Sequence, residues 1–340
     1  VRICVVGAGA IGGLLGARLA LAGHEVTVID RGAHLAAIQK AGLKLIDLDG
    51  EELVAERVAA RESLEGLARQ DLIILAVKAH FLDAIAKQIP ALVDADTAIV
   101  TVQNGIPWWY FHRHGGPHDG RRLRSVDPSG VLEKNIDSGR IVGCVVYPAA
   151  VVPEPGVIKH IEGDYFPVGE LDGSESARAR RLYDLLVAAG FRSRILDDIR
   201  SEIWLKAWGN LSFNPISALT HATLAAICEL PETRRLAATM MREAQDIAET
   251  LGITFRHTIE KRIAGAEQVG AHKTSMLQDV ELGRSLEIEA LVGAVLELAQ
   301  ITETPAPSIE AVYACVKLLN KTMLAEGGGL RIGAGDAEAA

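Results

Sequence analysis

Lys206, Asn210 and Asn214 fall four residues apart in the segment Ser201-Glu-Ile-Trp-Leu-Lys-Ala-Trp-Gly-Asn-Leu-Ser-Phe-Asn-Pro215. In a helix, residues at this spacing stack on one face. A lysine can give a proton, and a carboxamide can hold a hydroxyl or a carboxylate. Beside a ketone, a protonated lysine stabilises the forming alkoxide and then protonates it. The plainer alternative is an i,i+4 ion pair between Lys206 and Glu202 on a solvated face. Trp204, Leu205 and Trp208 argue for a largely buried helix, in which a lysine needs partners.

A second set of residues suits a dinucleotide. Gly7-Ala-Gly9-Ala10-Ile11-Gly12 follows an apolar strand and opens a helix, the context the dinucleotide fingerprint requires. Gly7 permits the tight turn, Gly9 lets the backbone approach a pyrophosphate, and Gly12 allows close helix–sheet packing. The first amides of the helix, including those of Ala10 and Ile11, would face the phosphates. Asp30 and Arg31 close the second strand and pull in opposite directions. An acid there takes the ribose hydroxyls of NAD, whereas an arginine takes the 2′-phosphate of NADP. Lys78 and Asn104 stand at the carboxyl ends of two further strands, the edge at which such sheets bind ligands. Their plainer readings are a surface lysine and an ordinary Asn-Gly turn.

A third set is Ser275, in Thr274-Ser-Met-Leu-Gln-Asp279, with Glu287 twelve residues on. On one long helix the two would lie a little over three turns apart and border the same cleft, with Glu289 facing elsewhere. Ser275 followed by Gln278 also reads as a capping box. His112, His114 and His118 lie in a polar, glycine-rich stretch without the spacing of a metal site, so no metal is expected. Cys4, Cys144, Cys228 and Cys315 form no CxxC pair and read as reduced, mostly buried thiols of a cytoplasmic protein.

These residues need a frame. Strands are expected over 2–6, 25–30, 72–77 and 98–102, with a helix over 11–22 between the first two. The alternation predicts an α/β fold with a doubly wound parallel sheet. Residues 140–152 and 156–160 read as a hairpin about Pro153-Glu-Pro155-Gly, which 165–168 extends. A helix over 174–189 and a strand over 192–196 follow. Beyond that every periodic segment is helical, near 199–213, 214–228, 231–251, 255–268, 275–301 and 307–325. The expected organisation is a dinucleotide-binding domain over 1–197, an all-helical domain over 198–325 and a flexible Gly/Ala-rich tail over 326–340.

Of the 340 residues, 49% are apolar and 23% charged, and the net charge is −9, which reads as globular. An acidic balance without a basic footprint argues against nucleic-acid binding. No apolar run suggests a membrane span, and Val1-Arg-Ile-Cys-Val-Val reads as a strand and not as a signal sequence.

Taken together, the chain resembles the ketopantoate reductase family from Gly7 to about Leu319. The matching pieces are the glycine motif, Val77-Lys78, Gln103-Asn104-Gly105, Glu202-Ile-Trp-Leu-Lys206 with Asn210 and Asn214, and Ser275-Met-Leu-Gln-Asp279 with Glu287-Ile-Glu289. The resemblance implies a Rossmann domain followed by a helical domain, with the active site in the cleft between them. It implies that NADP(H) delivers hydride to the C2 ketone of 2-dehydropantoate, giving pantoate for coenzyme A synthesis. Lys206 then corresponds to the general acid, and Asn210, Asn214 and Ser275 to substrate-holding positions. Asn104 and Lys78 match positions near cofactor and substrate, and Glu287 an acid at the nicotinamide end. Family members are often dimers, so a homodimer is open. Two departures stand out. Asp30 before Arg31-Gly32 keeps NAD(H) open as the cofactor. Ile106-Pro-Trp-Trp-Tyr110 and the loop through Arg122 could reshape the pocket, or Trp108 and Trp109 could simply anchor that loop. The alternatives are a reductase of another 2-oxoacid and an NAD(P)-binding sensor without chemistry.

Overall fold

A computed structural model of the chain describes residues 1–328. The expected flexible tail therefore lies outside the described residues from position 329 onward. The chain divides into one compact unit, Val1–Ile203, and a second that begins at Trp204. This boundary falls inside a helix, six residues beyond the expected one. The helix's first turn belongs to the first unit. There Arg200 bonds to the carbonyls of Tyr110, Leu171 and His112, and Ile199 packs against Gly143.

The first unit carries twelve strands: β1 (Arg2–Val6), β2 (Glu25–Ile29), β3 (Leu43–Ile46), β4 (Glu52–Ala55), β5 (Ala59–Arg61), β6 (Leu72–Leu75), β7 (Ala98–Thr101), β8 (Ile141–Cys144), β9 (Ala149–Glu154), β10 (Val157–Glu162), β11 (Tyr165–Glu170) and β12 (Arg192–Ile195). Eight form the main sheet in the order β12-β11-β8-β7-β6-β1-β2-β5. All its neighbours pair in parallel except β8 and β11. Every residue of β6, β7 and β8 is buried, as expected of parallel strands covered on both faces. From β5 to β8 the order is that of the doubly wound dinucleotide fold. Its switch point lies between β1 and β6, where ligands bind beyond the strands' carboxyl ends.

Five helices belong to this unit: α1 (Ala10–Leu21), α2 (Gly32–Ala41), α3 (Leu82–Ala86), α4 (Val131–Asn135) and α5 (Ala177–Ala188). Helix α1 is apolar almost all round because it is covered from two sides. Gly13 lies against Ile158 of β10, and Gly16 against Val28 of β2. The second cover is a four-stranded sheet, β4-β3-β10-β9, which the sequence reading did not foresee. It is assembled from two insertions, one between α2 and β5 and one after β8.

Three strand expectations need correction. Residues 140–152 do not form one strand. The chain pairs in the main sheet as β8, breaks before Pro148 and joins the small sheet as β9. The hairpin about Pro153–Gly156 is therefore β9–β10 alone. Strand β11 lies in the main sheet beside β8 and does not extend the hairpin.

Every element of the second unit is helical among the described residues: α6 (Ile199–Thr220, shared with the first unit), α7 (Leu224–Glu229), α8 (Pro231–Thr250), α9 (Ile259–Val269), α10 (Ser275–Glu281), a π-helical turn over Glu289–Gly293 leading into α11 (Ala294–Ile301), and α12 (Pro307–Ala325). The expected break at residue 213 is absent, because α6 runs through Pro215. A proline inside a helix costs about 3 kcal/mol. Here burial along the segment, with Trp204 and Trp208 fully enclosed, outweighs that cost. The expected helix over 275–301 is instead two, separated by a turn at Gly283, whose φ is +62°. Among the described residues no helix is long and apolar enough to cross a membrane.

Candidate active site

The glycine motif forms the turn from β1 into α1. Gly7 has φ +102°, and its amide bonds to the Ile29 carbonyl at 2.9 Å. A Cβ on Gly7 would stand 2.8 Å from Val77 Cγ1, and one on Gly12 would run into the Gly7 carbonyl oxygen. Both glycines are thus required by the protein's own packing. Gly9 differs: it is exposed, and a Cβ there would meet nothing within 4 Å. Its N-cap position favours a glycine at this point, and a phosphate group approaching the backbone would favour one as well. Gly9 caps α1 without a side chain, so the first helical amides have no side-chain acceptor there.

Asp30 turns its carboxylate onto the protein. One oxygen accepts from the Ala8 amide at 2.9 Å, and the other from the Arg31 amide at 2.7 Å. Arg31 itself is exposed and caps α2. His34, which sequence reasoning missed, braces the same loop. Its Nδ1 accepts from the Gly156 amide at 3.0 Å, so Nε2 carries the proton and donates to the Ala8 carbonyl at 2.9 Å. Its local sequence carries no signal, since both partners are remote along the chain.

Lys78 and Asn104 leave the ends of β6 and β7, as expected. Gln103 ties the two ends together, donating from Nε2 to the carbonyls of Leu75 (2.7 Å) and Val77 (3.0 Å). Gly105 takes φ +87°, which turns the chain immediately after Asn104. The 106–122 segment is not simply a solvated loop. Trp108, Trp109, Tyr110 and Phe111 are buried, and Trp109 Nε1 donates to the Thr101 hydroxyl at 3.1 Å. The two tryptophans anchor the segment. His114 packs beside Tyr110 and Phe111, and His118 beside Phe111. Burial pushes His112 and His114 below the ordinary histidine range. Among the described residues no three His, Cys, Asp or Glu side chains are placed to hold a metal ion. Cys4, Cys144 and Cys228 are buried and Cys315 is exposed, and burial pushes the Cys4 thiol up to about 12.

In the second unit α6 presents Lys206, Asn210 and Asn214 at successive turns. Lys206 is partly exposed between two enclosed tryptophans, and Trp208 stacks on Phe255 with ring centroids 4.0 Å apart. Glu202, the alternative partner for Lys206, is buried and accepts a hydrogen bond from the Tyr147 hydroxyl at 2.6 Å. Asn214 Nδ2 lies 3.5 Å from the Ser275 hydroxyl, so these two residues are brought together. Asn210 Nδ2 is buried and has no hydrogen-bond partner among the described residues. A buried donor left unmade costs about 1–3 kcal/mol, a deficit that a ligand acceptor would remove.

Two expectations about the third set need correction. Thr274, and not Ser275, caps α10: its hydroxyl accepts from the Leu277 amide at 3.2 Å. Ser275 is the first helical residue, which leaves its hydroxyl for Asn214. Glu287 does not share that helix. Helix α10 ends at Glu281, and Glu287 opens the next helical segment, where its carbonyl accepts from Leu291 at 3.1 Å. The Asn320 side chain holds the intervening turn through the Leu286 amide at 3.0 Å.

The α6 face can therefore donate a proton from Nζ and hydrogen bonds from two carboxamides, with a hydroxyl beside the second. The glycine turn can accommodate a diphosphate. Residues 3–114 match the family model described as ketopantoate reductase PanE/ApbA, and residues 198–320 match that of its C-terminal part. The 2-dehydropantoate 2-reductase of Mesorhizobium japonicum is 53% identical over 94% of this chain and 97% of its own. A crystal structure of a putative ketopantoate reductase from Ralstonia solanacearum superposes with a TM-score of 0.90 at 40% identity, covering 94% of this chain and 98% of that one. The fold is also that of a D-mandelate dehydrogenase solved with NADH and anilino(oxo)acetate, at a TM-score of 0.81 and 24% identity over 95% of this chain and all of that one.

Proposed function

The chain belongs to the ketopantoate reductase family, a family of nicotinamide-dinucleotide-dependent oxidoreductases, and from that premise we propose that it reduces the C2 ketone of 2-dehydropantoate to pantoate with NADPH. The single observation that carries the substrate half of this reading is the α6 face. A lysine is followed by a carboxamide whose buried donor has no partner among the described residues, and then by a carboxamide paired with a serine.

Lys206 is the general acid. Its ammonium group stabilises negative charge building on the ketone oxygen and passes its proton to that oxygen. Asn210 supplies its unfilled N–H to a substrate oxygen. Asn214 and Ser275 hold a second polar group of the substrate, and Asn104 and Glu287 act nearer the nicotinamide.

The residues present fit the dinucleotide. Gly9 offers open space where a side chain would obstruct a diphosphate, while Gly7 and Gly12 hold the turn itself. The bound cofactor supplies the hydride. Asp30 gives one acceptor position of each oxygen to backbone amides, whereas Arg31 is exposed beside it. A guanidinium–phosphate contact is charge-assisted and contributes about 1.5–3 kcal/mol, which supports NADPH over NADH.

The test is a panel of branched 2-oxoacids run with each reduced cofactor, following loss of the reduced-cofactor absorbance. The reading expects 2-dehydropantoate with NADPH to give the highest kcat/KM. A higher value for another 2-oxoacid would assign a different substrate. Cofactor binding without turnover of any oxoacid would leave only a sensor.

A further inference from the structure

Resting on that reading of the protein as a 2-oxoacid reductase, we propose that Arg262 binds the substrate carboxylate and selects 2-oxoacids over neutral ketones. Arg262 lies on α9, yet its guanidinium rests on the backbone of α6 at Gly209. A Cβ on residue 209 would stand 2.9 Å from Arg262 Cζ and 3.4 Å from Nε, with Nη2 closer still. Glycine at 209 is thus what lets the cation reach α6.

The location follows from helix geometry. The space a side chain would fill at 209 lies over the preceding turn, because helical Cα–Cβ bonds tilt toward the N-terminus. That turn carries Lys206, three residues earlier. Asn210, with its buried and unmatched Nδ2, is the next residue in the chain. The cation therefore sits on the flank of α6 that Lys206 shares, and Asn210 projects about 100° further round the helix.

In a 2-oxoacid the carboxylate is bonded directly to the ketone carbon. Any group that protonates the ketone oxygen has the carboxylate as an immediate neighbour. Two oxygens in one plane match the planar fork of a guanidinium, which can engage both at once, and an ammonium group cannot. Arg262 is partly buried, which limits screening of the pair by salt. Its helix is held in place. Thr258 caps α9 by accepting from the Lys261 amide at 3.2 Å, and Phe255, just upstream, stacks on Trp208 within 6° of parallel.

The experiment compares a 2-oxoacid substrate with its methyl ester, which keeps the ketone and loses the carboxylate charge. Wild type, Arg262→Gln, Arg262→Lys and Gly209→Ala are assayed with saturating NADPH, and thermal unfolding is followed for each. Arg262→Gln should raise KM for the acid by about tenfold or more and leave kcat/KM for the ester within about twofold, as expected on losing a charge-assisted contact. Gly209→Ala retains the arginine and fills its seat, so it should produce the same selective loss. Arg262→Lys should fall between wild type and Arg262→Gln. Equal losses for acid and ester, or no loss for either, would overturn the assignment while leaving the reductase reading intact. A wild type that reduces no 2-oxoacid would overturn both.

Discussion

Asn214 and Ser275 lie 61 residues apart in sequence, yet Asn214 Nδ2 stands 3.5 Å from the Ser275 hydroxyl oxygen. At that separation the hydrogen bond is long and weak. Two polar side chains held loosely together can both turn to a group inserted between them. Thr274 makes this arrangement possible by taking over the capping of α10.

Ser275→Ala tests whether this pair serves the substrate or the fold. The long contact contributes little to stability, so the unfolding midpoint should move by less than about 1 kcal/mol. KM for the 2-oxoacid should rise about tenfold, matching one lost hydrogen bond of about 1.4 kcal/mol. Steady-state kinetics alongside urea denaturation separates the two effects. An unchanged KM would remove Ser275 from the substrate site.

Lys206→Ala addresses the proton donor. Loss of a general acid lowers kcat by about 10²–10⁴-fold. NADPH affinity, measured by fluorescence titration, should be unchanged, because the glycine turn is built by other elements. A variant that keeps more than about a third of wild-type kcat would exclude Lys206 as the acid, a far smaller loss than general-acid removal produces.

The glycine turn was legible in the sequence because each of its requirements is local. A strand, three glycines and a helix follow one another within twenty residues. Lys206, Asn210 and Asn214 were legible for the same reason, since one helical period relates them. The residues that brace these groups were not. His34 meets Ala8 across 26 residues, and Arg200 meets Tyr110 across 90. Only the tertiary fold creates such pairs. Chain breaks were hidden in both directions. Leu286, Ile288 and Leu291 continue an apolar helical rhythm past Gly283, so the turn there escaped notice. Pro215 signalled a break that burial overrides. The apolar run across 140–152 concealed a change of sheet at Pro148, because apolar strands of two sheets look alike in sequence.

Gly9 and Gly12 should respond differently to the same substitution. Gly12→Ala forces a Cβ onto the Gly7 carbonyl oxygen and toward Ala76, and overpacking of this kind costs about 1–3 kcal/mol. Gly9→Ala meets no protein atom, so its cost should be confined to the poorer capping of α1 by alanine, below about 1 kcal/mol. Cofactor affinity should instead fall about tenfold or more, because the methyl group occupies the space the diphosphate needs. Calorimetric titration with NADPH and thermal unfolding of both variants measure the contrast. Normal NADPH affinity in Gly9→Ala would refute the proposed diphosphate position.

Arg200 joins the first turn of α6 to the aromatic 106–122 segment. Its guanidinium donates to the carbonyls of Tyr110 at 2.8 Å and His112 at 2.6 Å, and also to Leu171. Burial lowers its basicity, yet the charge is held by this ring of acceptors and by the Tyr110 ring beneath it. Arg200→Met strands three carbonyls at once and should cost about 3 kcal/mol or more. Arg200→Lys, which cannot span three acceptors, should recover only part of this loss. Denaturant unfolding reads both values. A change below about 1 kcal/mol for Arg200→Met would mean that the carbonyls find other partners.

His112 and His114 give the same segment a pH dependence. Burial lowers both below the ordinary value of 6.5, so the folded protein holds them neutral where the unfolded chain would already take up protons. Below that value the unfolded state binds more protons than the folded state, and stability therefore rises with pH. The contribution is fully present above 6.5 and is lost as pH falls toward the depressed folded values. Replacing both residues, His112→Asn with His114→Asn, removes the proton uptake from both states. Stability curves for wild type and the double variant should run parallel above about pH 7 and diverge below about pH 6, with wild type falling more steeply. Curves that stay parallel down to about pH 5 would show that the two imidazoles take up protons equally in the folded and unfolded chains.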